Sequence, residues 1–206
     1  FGLIRNFRQH SWLLLLLFGA SPLVQRSFAV GMPHILKRFG RDALGLPHAT
    51  SLRMGPLGYQ SDAQSRIGAS YNCLKSYAES LYDALTQPYP AYEKMGILYE
   101  GEYRQLSTSL LQIENEFYGT IRPKQPIRPK EERPLAALAA RGVEYVEVRL
   151  MDLDPFSPIG ITAETIRFLD IFLLYCLLSD SPPDRPKITA AQAANRHAVA
   201  QRGREP

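Results

Sequence analysis

The chain has 206 residues, enough for one domain, and its 45% hydrophobic and 21% charged residues exclude an intrinsically disordered protein. The formal charge of +4 is too small and too dispersed to indicate a nucleic-acid-binding protein, so no nucleic-acid partner is expected. Two cysteines far apart in sequence, Cys73 and Cys176, exclude a disulfide framework or a zinc site and make a reducing, cytoplasmic setting the default.

A short apolar run, Trp12 to Phe18, follows Arg5 and Arg8 near the start of the chain. A basic start, an apolar middle and small residues such as those at 19–21 are also typical of secretory signal peptides. Seven apolar residues fall short of the roughly 20 needed to cross a bilayer, so no membrane partner is expected. The alternative interpretation is a buried helix whose exit is marked by Gly19 and Pro22, and residues 1 to about 30 as a whole are predicted to be helical.

The first half of the chain alternates loops with short predicted elements. Residues 31–48 predict a loop because they are rich in glycine, proline and basic side chains. The apolar and β-branched run 49–54 predicts a strand. Asn72 predicts a helix cap, and apolar residues at helical spacing extend that helix to about Thr86. Residues 106–118 contain two further strand-like runs.

A basic segment, residues 121–130, contains too much proline for a sheet interior or a helix. It is interpreted as a solvated connector, a nucleotide phosphate loop or a nucleic-acid patch. It contains no aromatic residue on which bases could stack, which disfavours the nucleic-acid interpretation.

The remaining elements are three helices and one strand. An alanine-rich helix over 134–140 precedes a strand over 143–151. A core helix is predicted over 162–179 with Thr162 as its cap, and a last helix over 189–202. Helices and strands are mixed without a regular β-α-β rhythm, which favours the α+β class.

Alternation along the strand over 143–151 places Glu147 and Arg149 on one face, about 7 Å apart. One interpretation is a surface ion pair on a half-exposed sheet. The other is a wet, concave face on which a carboxylate holds Mg²⁺ and an arginine neutralises a transferring phosphate. The pattern alone leaves both interpretations open.

Two other stretches carry candidate binding groups. Arg53 lies among hydroxyl side chains and could hold a carboxylate through two parallel hydrogen bonds, and Tyr59 follows at a turn. Alternation over 111–118 places Gln112, Glu114, Glu116 and Tyr118 on one polar face that lines a site or faces water. The sequence contains no Gly-rich phosphate loop, no Gly-x-Ser-x-Gly elbow and no metal-ligand spacing among its histidines. Both cysteines lie in apolar helical contexts that predict inert, buried thiols.

Several of these stretches together resemble the proteobacterial-type glutamate–cysteine ligase family. Their order and spacing resemble the family over nearly all of the 206 residues. The resemblance favours an internal helix end over a signal peptide at residues 17–22. The matching pieces are Ile4-Arg5-Asn6-Phe7, Leu17-Phe18-Gly19-Ala20-Ser21-Pro22, Ala49-Thr50-Ser51-Leu52-Arg53-Met54, Leu57-Gly58-Tyr59, Leu111 to Tyr118, Ile121-Arg122-Pro123-Lys124, Gly142 to Arg149 and Asp154 to Gly160.

The resemblance implies an ATP- and Mg²⁺-dependent ligase that performs the first step of glutathione biosynthesis from the small-molecule substrates glutamate, cysteine and ATP. The γ-carboxylate of glutamate is phosphorylated, and the amine of cysteine then displaces phosphate. It also implies that the chain forms part of a curved antiparallel sheet, similar to that of glutamine synthetase, with packed helices.

The family motifs imply specific roles for five residues. Glu147 is expected to bind Mg²⁺, and Arg149 to contact the glutamyl or phosphoryl group as a catalytic residue. Arg53 is expected to bind the carboxylate of the incoming cysteine, while Tyr59 and Tyr118 shape its side-chain pocket.

The chain also departs from the family pattern. Gln25 stands where the family usually has cysteine, and Ser107 and Ser109 stand where it has asparagines. The family's N-terminal metal-binding segment and its C-terminal end have no counterpart here, so residues 1–206 are expected to be a partial catalytic domain that is inactive alone. Two alternatives remain: a related ligase with another amine acceptor, or a non-catalytic α+β module that binds a partner or nucleic acid through the basic segment.

Overall fold

The computed structural model describes residues 1–55, 57–58, 64, 67–128 and 132–206. Helices mix with short strands in these ranges, so the predicted α+β class is confirmed. The helices are α1 (Gly2–Phe18), α2 (Leu74–Thr86), α3 (Pro90–Met95), α4 (Pro134–Arg141), α5 (Ala163–Leu178) and α6 (Pro186–Arg202). The strands are β1 (Leu23–Gln25), β2 (Lys37–Phe39), β3 (Ala43–Gly45), β4 (Leu98–Tyr99), β5 (Glu102–Tyr103), β6 (Ile121–Lys124) and β7 (Tyr145–Val148).

The strands form small sheets. A three-stranded antiparallel sheet has the order β1-β3-β2, with both Leu23 and Lys37 opposite Gly45. Strands β4 and β5 pair antiparallel, with Leu98 opposite Tyr103. Strands β6 and β7 form a separate two-stranded ribbon, called here the β6–β7 ribbon. This ribbon contains Glu147.

The described residues divide into two compact units. The helical unit is drawn from residues 2–59 and 148–206, and the ribbon unit from residues 60–147 together with Phe1. In the helical unit, α1 packs against both α5 and α6. Phe7 is fully buried and meets Phe172 of α5 edge to face, with ring centroids 5.7 Å apart. Apolar burial of this kind is the main stabilising contribution to a small helical core.

The chain turns sharply where α1 ends at Phe18. A Cβ atom added to Gly19 would lie 2.5 Å from the carbonyl oxygen of Leu15 and 2.7 Å from the Cβ of Thr50, so only glycine fits there. Residues beyond this point form β1 and a short 3₁₀ turn, Arg26–Ala29. The predicted helix is therefore correct to residue 18 and wrong from there to residue 30.

Tertiary contacts changed three further predictions. Residues 31–48, predicted as a loop, contain β2 and β3. Residues 49–54, predicted as a strand, contain a 3₁₀ turn over Leu52–Met54. The backbone N–H groups of Thr50 and Ser51 donate to the carbonyl of Ala200 instead of to a sheet. Residues 106–118 contain a 3₁₀ turn, Glu114–Glu116, in place of two strands.

The basic, proline-rich segment begins as a strand. Residues 121–124 form β6, which the proline content had been taken to exclude from a sheet interior. Strand β6 has β7 as its neighbour in a two-stranded ribbon, where a proline without an N–H is tolerated. Arg122 is also buried, with 6% of its surface exposed, so the solvated-connector interpretation is wrong for this residue.

Helix α5 agrees with its predicted bounds but not with its predicted burial. Thr162 caps it as expected, since its hydroxyl accepts a hydrogen bond from the Thr165 N–H at 3.2 Å. Of the helix's residues, all of which the structure describes, Phe172 and Cys176 are buried. Ile171 and Leu178 are 69% and 82% exposed. Helix α5 is therefore a surface helix with one buried stripe, and the core-helix prediction is wrong for its other faces.

Helix α2 forms the core of the ribbon unit together with α4. Tyr77, Leu81 and Ala84 are its buried residues, at the helical spacing seen in the sequence. Its cap is Cys73, one residue after the predicted Asn72: the Cys73 sulfur accepts a hydrogen bond from the Ser76 N–H at 3.5 Å. Cys73 is exposed, so the prediction of a buried thiol is wrong for Cys73 and correct for Cys176.

Within the described ranges, no helix combines the length and the apolar character that crossing a bilayer requires.

Candidate functional site

Glu147 lies on β7 in the ribbon unit, next to a lysine of the paired strand. The Lys124 ammonium lies 3.4 Å from Glu147 Oε2, and the two side chains are 29% and 38% exposed. Oε2 is itself buried and accepts no hydrogen bond from any residue that the structure describes. The contact is therefore an ion pair without hydrogen-bond geometry, and it leaves an acceptor lone pair unused.

Glu147 is a suitable single ligand for a divalent cation. An unused carboxylate oxygen in a half-buried position is the type of group that Mg²⁺ binds. The described residues contain no cluster of three or more His, Cys, Asp or Glu side chains that could hold a metal ion. Glu147 thus fits as one ligand among others that these residues do not supply.

Arg149 follows the end of β7, which stops at Val148 instead of reaching the predicted residue 151. Strand alternation therefore does not extend to Arg149. The prediction that Arg149 lies on the same strand face as Glu147 no longer follows from strand geometry. The backbone carbonyl of Arg149 accepts a hydrogen bond from Arg53 Nη1 at 3.2 Å. Arg149 and Arg53 are thus brought together in the helical unit, while Glu147 and Tyr118 belong to the ribbon unit.

Arg53 binds the segment that follows β7. Its Nη2 donates to the carbonyls of Leu150 at 2.6 Å and Met151 at 2.7 Å. Its Nε donates to Asp152 Oδ1 at 2.8 Å. A guanidinium carries N–H donors on several edges in one plane, so these bonds fix the plane of the group relative to residues 149–152.

Asp152 is an important residue of this region that the sequence analysis missed. Its side chain is 3% exposed, and Oδ2 accepts hydrogen bonds from the Ala20 N–H at 3.0 Å and the Ser21 hydroxyl at 2.7 Å. Burial by itself raises the pKa of this carboxyl, but hydrogen bonds from Arg53, Ser21, Ala20 and Ser51 outweigh burial, so the pKa lies below its ordinary value. Asp152 is therefore a charged acceptor at neutral pH. No local sequence pattern identified Asp152 as a buried carboxylate, because its hydrogen-bond partners come from distant segments of the chain.

Tyr118 is half-buried in the ribbon unit and is held through its backbone. Its N–H donates to Gln64 Oε1 at 2.9 Å, and Gln64 Nε2 donates to the Glu116 carbonyl at 2.9 Å. The polar face expected over 111–118 is broken by the 3₁₀ turn: Ile113, which strand alternation would place on the opposite face, is 48% exposed. Tyr59 lies outside the described residues.

A cavity of about 410 Å³ lies beside Asp152 in the helical unit. Its walls include Ala20, Asp154, Phe156 and Arg204. Of the described residues predicted to form the site, Arg53, Arg149, Glu147 and Tyr118 do not line it. This cavity is therefore separate from these predicted site residues.

Comparison with known proteins gives one family. The family model described as glutamate-cysteine ligase matches residues 1–199. A glutamate–cysteine ligase of Hahella chejuensis is 60% identical over 181 residues, covering 88% of this chain and 34% of the relative. One from Pseudomonas paraeruginosa is 53% identical over 205 residues, covering 100% of this chain and 38% of the relative. The chain thus spans between a third and two fifths of the length of these relatives.

Comparison with solved structures also finds a glutamate–cysteine ligase. A crystal structure of a glutamate–cysteine ligase from Francisella tularensis in complex with AMP matches 100% of this chain and 41% of its own, with a TM-score of 0.92 and 40% identity. A bifunctional glutathione synthetase from Pasteurella multocida matches with a TM-score of 0.57 at 20% identity, which is a likeness of fold alone. Both comparisons cover nearly the whole of this chain.

Proposed function

The chain belongs to the glutamate–cysteine ligase family, and we propose that it carries part of the site at which glutamate is joined to cysteine at the expense of ATP. The observation that best supports this proposal is the buried Glu147 carboxylate oxygen, which the nearby Lys124 ammonium neutralises without a hydrogen bond. The complex of the Francisella relative with AMP supports nucleotide binding as part of this proposal. The curved antiparallel sheet of the glutamine-synthetase type, with the β6–β7 ribbon as part of it, and a cytoplasmic setting belong to the same proposal.

The reaction has two steps. An oxygen of the glutamate γ-carboxylate attacks the terminal phosphorus of ATP, which forms γ-glutamyl phosphate and releases ADP. The amine of cysteine then attacks the acyl carbon, phosphate leaves with the bonding electrons, and the amine loses a proton as the amide forms. Alignment and neutralisation of charge are the main contributions of the protein to such a phosphoryl transfer.

Glu147 and Arg149 are the groups that would act on the phosphoryl side. Glu147 would hold Mg²⁺, which supplies charge neutralisation to the nucleotide phosphates when bound. In this arrangement Lys124 balances the Glu147 charge, so cation binding requires its ammonium to leave Oε2. Arg149 would contact the glutamyl or phosphoryl oxygens through its permanently charged guanidinium.

Arg53, Tyr59 and Tyr118 are the groups proposed to bind cysteine. A quarter of the Arg53 side chain is exposed to solvent, and its plane is set by its bonds to residues 149–152. A carboxylate of the acceptor would interact with the exposed part of this guanidinium. The two phenol side chains would line the pocket of the cysteine thiol.

Metal and nucleotide binding test the proposal directly. Mn²⁺ replaces Mg²⁺ as a paramagnetic probe, and its binding to the chain with ATP is followed by electron paramagnetic resonance. We expect Glu147→Gln to weaken Mn²⁺–ATP binding at least tenfold. Glu144→Gln, which neutralises an exposed carboxylate three positions away, leaves the affinity unchanged. Equal affinity in wild type and Glu147→Gln would overturn the metal assignment, and absence of Mn²⁺–ATP binding by the folded wild-type chain would overturn the proposed function.

A further inference from the structure

We propose that Asp152 is a positioning residue that sets the orientation of Arg53 for the carboxylate of the amine acceptor. This inference rests on the proposed function of Arg53. Asp152 does not itself touch the acceptor, because both of its oxygens bind protein groups and its side chain is 3% exposed.

Asp152 contacts the Arg53 guanidinium at its Nε atom. Asp152 Oδ1 accepts from Arg53 Nε at 2.8 Å, while the carbonyls of residues 149–151 accept from the two Nη atoms. The carbonyl bonds hold the far end of the planar group, and the Nε bond holds the end nearest the side-chain stem. Removing the Nε bond would let the guanidinium rotate about its carbonyl anchors, so the direction of its exposed part would no longer be set.

Asp152 is itself held rigidly enough to act as a reference point. Its second oxygen accepts from the Ala20 N–H and the Ser21 hydroxyl, just beyond the end of α1. The Ser21 hydroxyl also lies 3.1 Å from the hydroxyl of Ser51, which is fully buried. A charged group satisfied by several donors in a buried setting keeps one rotamer, as supporting residues around binding sites generally must.

The competing explanation is that the Arg53–Asp152 ion pair serves only to stabilise the fold. The chain contains a similar ion pair that can serve as a control. In the same unit, Arg8 Nη1 lies 2.7 Å from Asp184 Oδ2, with side chains 14% and 9% exposed. This pair resembles Arg53–Asp152 in distance and burial but has no proposed contact with substrate. Neutralising Asp184 therefore controls for loss of a buried ion pair as such.

The experiment compares two acceptors that differ only in the group Arg53 is proposed to bind. Binding of cysteine and of cysteamine, which lacks the carboxylate, is measured by titration calorimetry on the whole chain under reducing conditions. Wild type is expected to favour cysteine, because a site built for a carboxylate loses that interaction with cysteamine. Asp152→Asn should reduce this preference at least tenfold, while Asp184→Asn preserves it.

Ser21→Ala provides a milder second variant, since it removes one of the hydrogen-bond donors to Asp152 and leaves the carboxylate in place. The preference of Ser21→Ala for cysteine over cysteamine should lie between the preferences of wild type and Asp152→Asn. This variant still tests the proposal if Asp152→Asn does not fold. An unchanged preference in Asp152→Asn, or in Ser21→Ala where Asp152→Asn does not fold, would overturn the positioning role alone. A wild-type chain that binds Mn²⁺–ATP but shows no preference for cysteine would overturn the acceptor role of Arg53 and this inference with it.

Discussion

Arg53 Nε and Asp152 Oδ1 lie 2.8 Å apart and join two segments of the chain that are 99 positions apart in sequence. The carboxylate is almost completely buried, while a quarter of the guanidinium side chain is exposed. The pair thus couples a hidden anion to a cation at the protein surface. Its contribution to stability and its dependence on pH can both be tested.

Removing the Asp152 carboxylate is expected to destabilise the chain. Asp152→Ala leaves the Arg53 guanidinium, Ser21 and the Ala20 N–H without their shared acceptor. Breaking a buried pair from one side costs about 3 to 5 kcal/mol, and the partial exposure of Arg53 reduces this to about 2 to 3 kcal/mol. Urea unfolding measures the difference.

Glu79→Ala provides the control for that measurement. Glu79 pairs with Lys75 at 3.9 Å, with both side chains well exposed, so its loss should change the free energy of unfolding by no more than about 0.5 kcal/mol. Equal losses in Asp152→Ala and Glu79→Ala would contradict the assigned burial of the pair.

The same carboxylate predicts a specific acid dependence. The pKa of Asp152 in the folded chain lies below its ordinary value of 3.8, because its hydrogen-bond donors outweigh burial. Its contribution is therefore fully present above pH 3.8 and is lost as the pH falls further, through the folded pKa. The stability difference between wild type and Asp152→Asn should stay constant from about pH 7 to pH 5 and shrink below pH 3.8. Urea unfolding at a series of pH values checks this, and a difference that widened in acid would refute it.

The two cysteines should differ strongly in reactivity. Cys73 is exposed, and hydrogen bonds with the Ser76 hydroxyl and backbone lower the pKa of its thiol. Burial raises the pKa of the Cys176 thiol to about 11. At pH 8 the folded chain should therefore be alkylated at Cys73 long before Cys176, because the thiolate is the reactive species.

Peptide mass spectrometry after iodoacetamide treatment separates the two positions. Cys73→Ser should leave the folded chain almost unlabelled, and unfolding in urea should restore labelling at Cys176. Similar rates at both positions in the folded chain would contradict the burial of Cys176.

Helix α5 offers a comparison of two apolar residues on one element. Phe172 is 6% exposed and packs on Phe7, whereas Leu178 is 82% exposed. Phe172→Ala should destabilise by about 3 to 5 kcal/mol, since it leaves a cavity in the core. Leu178→Ala should stay within about 0.5 kcal/mol of wild type. Calorimetric unfolding of both variants measures these losses of stability. Similar losses in the two variants would contradict the single buried stripe of α5.

Local sequence signals were sufficient where an element depends on its own residues. The apolar spacing of Tyr77, Leu81 and Ala84 predicted α2, and the Thr162 hydroxyl predicted the start of α5. Family motifs identified the ligase family, because many matches in the same order are far more specific than any single motif. The roles of Glu147, Arg149, Arg53, Tyr59 and Tyr118 stay predictions.

Predictions failed where distant segments compete for the backbone. Thr50 and Ser51 have the β-branched and hydroxyl character of a strand, but their N–H groups donate to Ala200 at the end of α6. Strand alternation failed at Arg149 because β7 ends at Val148 and the following carbonyls bind Arg53. Backbone groups bind whichever partner the fold brings near, and that partner has no local signature.

The order of residues alone determined the family of this chain, its mixture of helices and strands, and the approximate extents of α2, α4 and α5. The tertiary structure alone decided that Asp152 is a buried anion held by Arg53 and Ser21, and that Lys124 lies against Glu147. Local elements arise from interactions between near neighbours, which a sequence displays directly. Charge pairing depends on distance in space, and only folding sets that distance between residues far apart in the chain.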